Sequence, residues 1–150
     1  MRKRPPIIPP RAAAVLRRVA LFRYELRRFL RFSEQAARAY GVTPQQHQLL
    51  LAVAGFAKDG SATISELAEF LQERHNAVVG LVERAAKRGL VRKERSSSDQ
   101  RVVRVSLTPL GTKVLLKIAQ QNLRELGRVW AQLPKGLKLR PSTLKGAQGA

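Results

Sequence analysis

Apolar residues recur with a helical period along most of the chain and with a period of two in one stretch. From Arg11 onward, Val15, Val19, Phe22, Leu26, Phe29 and Leu30 fall at spacings of three and four, while Arg17, Arg18, Arg23, Arg27, Arg28 and Arg31 occupy the other faces. This predicts a helix over about 11–40, stopped by Gly41. It is long for a globular domain, and such helices usually extend past their own domain to meet a partner. "TPQQ" at 43–46 restarts a helix: Thr43 caps, Pro44 suits the first helical position, and Gln46 completes a capping box. Leu49, Leu50, Leu51 and Val53 follow, and Gly55 ends the segment. "KDGSA" at 58–62 is predicted as a turn. "TISE" at 63–66 is a second capping box, opening a short helix through Leu71, and a third helix runs from about His75 to Arg88, before Gly89.

The period then changes. "LVRKER" (90–95) and "RVVRVSL" (101–107) are short and alternating, with the polar "SSSDQ" between them, which predicts a two-stranded hairpin. "TPLG" at 108–111 opens a last helix carrying Leu115, Leu116, Ile118, Ala119, Leu123, Leu126 and Trp130, ending before Pro134. The fold class is therefore mainly α with a small β-hairpin wing. Its short helix, turn and longer helix at 63–89, followed by the wing at 90–107, form a winged helix-turn-helix. The organisation expected is a basic, proline-rich arm at 1–10, one domain at 11–133 and a basic flexible tail at 134–150.

Composition narrows the partners. The chain has 150 residues, with 29 Lys and Arg against 10 Asp and Glu, a net charge of +19. Such a charge attracts polyanions and says nothing about fold. There are no cysteines, which excludes disulfides, thiolate metal sites and thiol redox sensing. The two histidines, His47 and His75, lie far apart, so no metal is expected. There is neither a Gly-rich phosphate loop nor a close pair of acids, so neither a cofactor nor an enzyme activity is expected. No apolar run approaches the ~18 residues of a membrane span. The basic N-terminus starts like a signal peptide, but Arg17 and Arg18 interrupt it and the same residues continue as a patterned helix. No membrane contact is expected, and the absence of cysteines fits a reducing compartment.

"ISELAEFLQERHNAVVGLVERAAKRGLVRKERSSSDQRVVRVSLTPLG" resembles the MarR family of winged helix-turn-helix transcriptional regulators. The specific piece is Asp99-x-Arg101, five residues, then Leu107-Thr108-x-x-Gly111, after a helix ending in "KRGLV". The resemblance covers about residues 12–132. It implies a cytoplasmic, nucleoid-associated homodimer joined through its N- and C-terminal helices (about 11–40 and 109–133), bound to double-stranded DNA at a near-palindromic operator, and often released by a small-molecule effector. It also implies that Arg101 on the wing touches DNA while Asp99 steadies it. A free arginine loses about 2 kcal/mol of rotamer entropy on docking, and a carboxylate two residues away reduces that loss. In the bland alternative Asp99 forms the turn and Arg101 is solvated; the downstream L-T-x-x-G favours the functional one.

In the helix-turn-helix, early residues of the second helix reach base edges. Val78, Leu81, Val82 and Ala85 are predicted to face inward. Asn76 is placed to bond adenine and Val79 to touch a thymine methyl, with His75 at a base edge or a phosphate. Alternatively Asn76 or Arg74 caps the helix and Val79 fills a gap. Gly80, which costs about 1 kcal/mol relative to alanine in mid-helix, suggests close approach to the groove or crowding within the protein. Arg74 and Arg95, flanking turn and wing, are the first candidates for phosphates. The turn "QERH" departs from the family pattern in lacking its common glycine. For a small aromatic or anionic effector the candidates are Arg23, Tyr24, Arg27 and Arg31, against the preferred reading that these arginines are solvated and Tyr24 packs at a dimer seam. The rival function is a nonspecific architectural DNA- or RNA-binding protein.

Overall fold

Local signals in the chain become elements where they are expected, with two departures in the sheet. The computed structural model describes residues 8–57 and 59–133. The tail at 134–150, and the arm up to residue 7, lie outside the described residues. Helix α1 spans Pro10–Ala39; it begins at a proline, whose missing N–H would be unpaired in the first turn anyway. Helix α2 spans Pro44–Gly55, and its capping box forms: the Gln46 N–H donates to Thr43 Oγ1 at 3.1 Å and the Thr43 N–H to Gln46 Oε1 at 3.1 Å. Then come β1 (Ser61–Thr63), α3 (Ile64–Leu71), α4 (His75–Lys87), β2 (Val91–Arg95), β3 (Val103–Leu107) and α5 (Pro109–Gln132).

The chain divides into two compact units. One contains the described residues up to Arg31 and those from Arg124 on; the other is Phe32–Leu123. In the second unit, Leu49, Leu50 and Val53 of α2, Leu67 of α3, Val78, Leu81, Val82 and Ala85 of α4, Val105 of β3 and Ile118 of α5 make a common core. All four positions of α4 predicted to face inward are buried.

The sheet is three-stranded, in the order β1-β3-β2, all antiparallel. The expected hairpin of β2 and β3 forms, and β1 adds a third strand to it; the turn assigned to 58–62 is corrected, since Ser61 and Ala62 are in β1. A three-residue strand is too short to display a period, and its partner lies more than forty residues away: Ala62 faces Val105, and both are buried. Arg104 fastens this edge, its Nε donating to Ser61 Oγ at 2.8 Å and Nη2 to the Ser61 carbonyl at 3.0 Å. The wing loop is longer than predicted, because Arg101 and Val102 lie outside β3.

The L-T-x-x-G stretch has a packing role. Thr108 donates from its backbone N–H to the Leu90 carbonyl at 3.2 Å and from Oγ1 to the same oxygen at 3.1 Å, while accepting the Gly111 N–H at 3.0 Å. A Cβ at Gly111 would stand 2.0 Å from that carbonyl oxygen. The start of α5 is pressed so closely on the residue before β2 that only glycine fits.

In the first unit, Val15 of α1 and Val129 of α5 are buried, and Arg28 Nη1 reaches Gln132 Oε1 at 3.5 Å. Its acids are buried too: Glu25 is 3% and Glu125 8% exposed. Each pairs with an arginine three residues on, Arg28 at 3.3 Å and Arg128 at 3.4 Å. Among the described residues no helix is long and apolar enough to cross a membrane.

Candidate nucleic-acid interface

The helix-turn-helix is α3 and α4. The α3 N-terminus is closed by Thr63 and Glu66: the Thr63 N–H donates to Glu66 Oε2 at 2.7 Å and the Glu66 N–H to Thr63 Oγ1 at 3.2 Å. At its other end the chain must turn sharply, and Gln72 takes the left-handed conformation, φ 53°, that glycine normally supplies. The Glu73 N–H closes this turn on the Ala68 carbonyl at 3.0 Å. So the turn lacking a glycine keeps its usual geometry, with a non-glycine residue carrying the strain.

Helix α4 starts from Arg74 in extended conformation, with no side-chain cap. Neither Arg74 nor Asn76 caps it, and the backbone N–H groups of its first turn stay available. With Val78, Leu81, Val82 and Ala85 committed to the core, the opposite side is open: His75, Asn76 and Val79 are exposed and Gly80 is half-buried. A Cβ on Gly80 would meet only Arg84 Nη1, at 3.2 Å, the end of a flexible side chain. No protein crowding requires this glycine, and the close-approach alternative gains by that.

In the wing, the Ser96 N–H donates to the Val102 carbonyl at 2.8 Å and the Val102 N–H to the Asp99 carbonyl at 2.9 Å. Asp99 meets Arg101 differently from the sequence expectation: its Oδ1 accepts the Arg101 backbone N–H at 2.9 Å, and no ion pair with the guanidinium forms among the described residues. A carboxylate two residues upstream of an N–H closes an Asx turn, leaving the guanidinium free of it. Arg95 Nη1 donates to the Gln100 carbonyl at 3.4 Å, tying strand to loop.

The basic residues around this unit separate into two sets. Arg88 Nη1 holds Gln46 Oε1 at 2.9 Å, Arg104 holds Ser61, and Arg92 bonds Ser106 Oγ at 2.9 Å. Lys93 pairs with Glu83, joining β2 to α4, and the hydrogen bond and charge of the ammonium hold the Glu83 carboxyl below the usual carboxylate range. The guanidinium groups of Arg74, Arg84 and Arg101 have no protein acceptor among the described residues. Sequence spacing gave no means of separating these sets, because the acceptors lie in other elements.

Grooves flank α4 on more than one side. One, of about 380 Å³, brings His75 and Val79 together with Arg101, Val102 and Val103 of the wing and Thr63, Ile64 and Ser65 at the start of α3. Another, of about 320 Å³, sets Val79, Val82 and Glu83 against Lys93, Glu94 and Arg95 of β2. A third, of about 210 Å³, holds Asn76, Gly80 and Arg84 beside Gln45, Gln48 and Glu73. Val79, 37% exposed, is shared by the first two. Of the predicted recognition-helix residues, His75 and Val79 thus converge with Arg101 across a separation of more than twenty residues, while Asn76 and Gly80 line a different groove and Arg74 lines none of the three. Ser65, Gln45 and Gln48 were not anticipated, since nothing in their spacing marks them as facing α4. Arg23, Tyr24, Arg27 and Arg31 are all exposed and line none of these grooves. Among the described residues no group of three or more His, Cys, Asp or Glu is arranged to hold a metal.

A family model described as MarR family matches residues 40–102. Over 71 residues the chain is 35% identical to the HTH-type transcriptional repressor MdtR of Bacillus subtilis (strain 168). That match covers 47% of this chain and 44% of the relative, so it spans less than half of either protein. The fold is similar to that of AbsC, a MarR family transcriptional regulator from Streptomyces coelicolor, with TM-score 0.69 and 18% identity over 96% of this chain and 94% of that one. It is also similar to a mutant of the MarR protein of E. coli complexed with operator DNA, with TM-score 0.61 and 20% identity over 85% of this chain and 87% of that one. At those identities the likeness is one of fold.

Proposed function

From the premise that residues 40–102 are a MarR-family segment, we propose that the chain is a transcriptional regulator that binds double-stranded DNA sequence-specifically, as a homodimer on a near-palindromic operator. The observation that carries this reading is the groove joining His75 and Val79 to Arg101. Base-reading positions and a free wing guanidinium line one surface, while the core side of α4 is fully used. Asn76 and Val79 read the major groove. The uncapped N–H groups of α4, with Arg74 and Arg84, take phosphates and fix the register. Arg101 reaches the backbone or the minor groove beside it. The name of the Bacillus relative, a repressor, supports repression as the sense of regulation.

The homodimer is supported by unpartnered apolar surface on α5. Leu116, Leu123, Leu126 and Trp130 are spaced by seven, three and four, on one side of the helix, and are exposed. Four large side chains left in water on one helix mark an interface.

The test is fluorescence anisotropy with the DNA upstream of the gene against a shuffled duplex of equal length, at two salt concentrations. A regulator keeps a preference of about 10³-fold or more at the higher salt. Equal binding to both duplexes, lost together as salt rises, would make the chain an architectural binder instead. Within the regulator reading, Arg101→Ala weakens operator binding at least about tenfold, or roughly 1.4 kcal/mol, and Asp99→Ala weakens it less because the carboxylate acts only through the loop backbone. An Arg101 variant that binds like the parent would remove the wing from the mechanism.

A further inference from the structure

The described surface of the first unit presents charge of one sign. Seven arginines on α1 up to Arg31 and two on α5 from Arg124 are all exposed. The unit's two carboxylates, Glu25 and Glu125, are turned inward and paired. No acid faces solvent there among the described residues, and none of its basic residues is a lysine.

Three of these arginines form a ridge. Arg23, Arg27 and Arg31 are four residues apart, so they stand one above another on α1, at about 6 Å per step. Their guanidinium groups make no ion pair or hydrogen bond among the described residues. Like charges at this spacing repel and weaken a helix, so the ridge costs the isolated protein stability unless something anionic lies on it. Arginine rather than lysine fits a phosphate, because its planar fork bonds two oxygens at once. Within the unit the apolar side is covered only in part: Val15 and Val129 are buried, while Leu16, Phe22, Leu26 and Leu30 are exposed.

We propose that the ridge of Arg23, Arg27 and Arg31 on α1 is a second DNA contact, separate from the helix-turn-helix and wing, that holds the sugar-phosphate backbone without regard to base sequence. The choice of DNA among polyanions rests on the function proposed above; the existence of the ridge does not. The same three residues, with Tyr24, were the sequence candidates for an anionic effector, and the ridge gives them a polymeric anion in its place.

The test uses the full chain with Arg23→Gln, Arg27→Gln and Arg31→Gln together, in anisotropy titrations over a salt series on the upstream and the shuffled duplex. Each phosphate neutralised contributes about 0.9 to the slope of log K against log salt. The expected result is a slope shallower by about 2 to 3 on both duplexes, with the preference between them unchanged. Glutamine keeps the helix, and circular dichroism checks that it has; should the triple variant fail to fold, Arg27→Gln alone, with a change of about 0.9, decides. An unchanged slope on both duplexes overturns the proposal. So does binding to phosphatidylserine-containing vesicles that the variant abolishes while its DNA slope stays as in the parent. If the parent does not discriminate between duplexes, the regulator reading fails, yet a shallower slope in the variant still supports the ridge. If it discriminates and the slope is unchanged, the ridge fails alone.

Discussion

Gln72 holds a left-handed conformation with φ 53°, so the turn between α3 and α4 is made against the preference of its side chain. Glycine there relieves the clash of Cβ with the following carbonyl but adds freedom to the unfolded chain. Gln72→Gly is expected to stabilise the protein by about 0.5–1 kcal/mol in urea unfolding, and a loss of stability would mean that the side chain contributes contacts of its own. His47 is buried, its Nε2 has no hydrogen-bond partner, and desolvation lowers its pKa below the ordinary 6.5. In the unfolded chain it takes up a proton below about pH 6.5, while the folded protein resists doing so. The unfolded state therefore binds more protons, and the stability contributed by neutral His47 is lost as pH falls from about 6.5 toward the depressed folded value. The melting temperature should drop from pH 7 to pH 5.5 by more in the parent than in His47→Gln, and equal drops would show that other groups dominate the acid limb. The burial of His47 was not legible, because a lone histidine in such a helix reads as a surface or half-buried residue.

Among the elements, α5 carries two separate duties. Its first turn clamps onto Leu90, and Gly111→Ala, which would drive a methyl to 2.0 Å from a backbone oxygen, should cost about 3 kcal/mol or more by forcing the helix off β2. A variant as stable as the parent by calorimetry would show that the helix start can shift freely. Its later turns bear the exposed apolar row, with Leu123 67% and Trp130 74% exposed. Leu123→Glu should convert a dimer to a monomer in sedimentation equilibrium and weaken operator binding about a hundredfold or more, since each half-site then binds alone. A parent that sediments as a monomer would end the homodimer reading. The helices and both capping boxes were legible because each rests on contacts within four residues. Strand β1 was not, since Ser61–Thr63 becomes a strand only through pairing with residues 104–106.

For the molecule as a whole, a net charge of +19 guarantees attraction to any polyanion and cannot by itself distinguish a regulator from a coat on DNA. What distinguishes them is how the charges are used. Some of the arginines and lysines are occupied within the protein, as at Arg88, Arg104 and Lys93; Arg101, Arg74 and Arg84 are free around α4; and Arg23, Arg27 and Arg31 line α1. Counting residue types weights them equally.

The sequence by itself determined the helices, their ends, the inward face of α4 and the sign of the surface, because periodicity, caps and charge are local or additive properties. Only the tertiary structure decided that the Asp99 carboxylate closes on a backbone N–H, that Gly111 is needed to admit the Leu90 carbonyl, that a third strand joins the wing, and which guanidinium groups remain free. Each of those depends on where a backbone group or acceptor comes to rest in space, and spacing along the chain carries no such information.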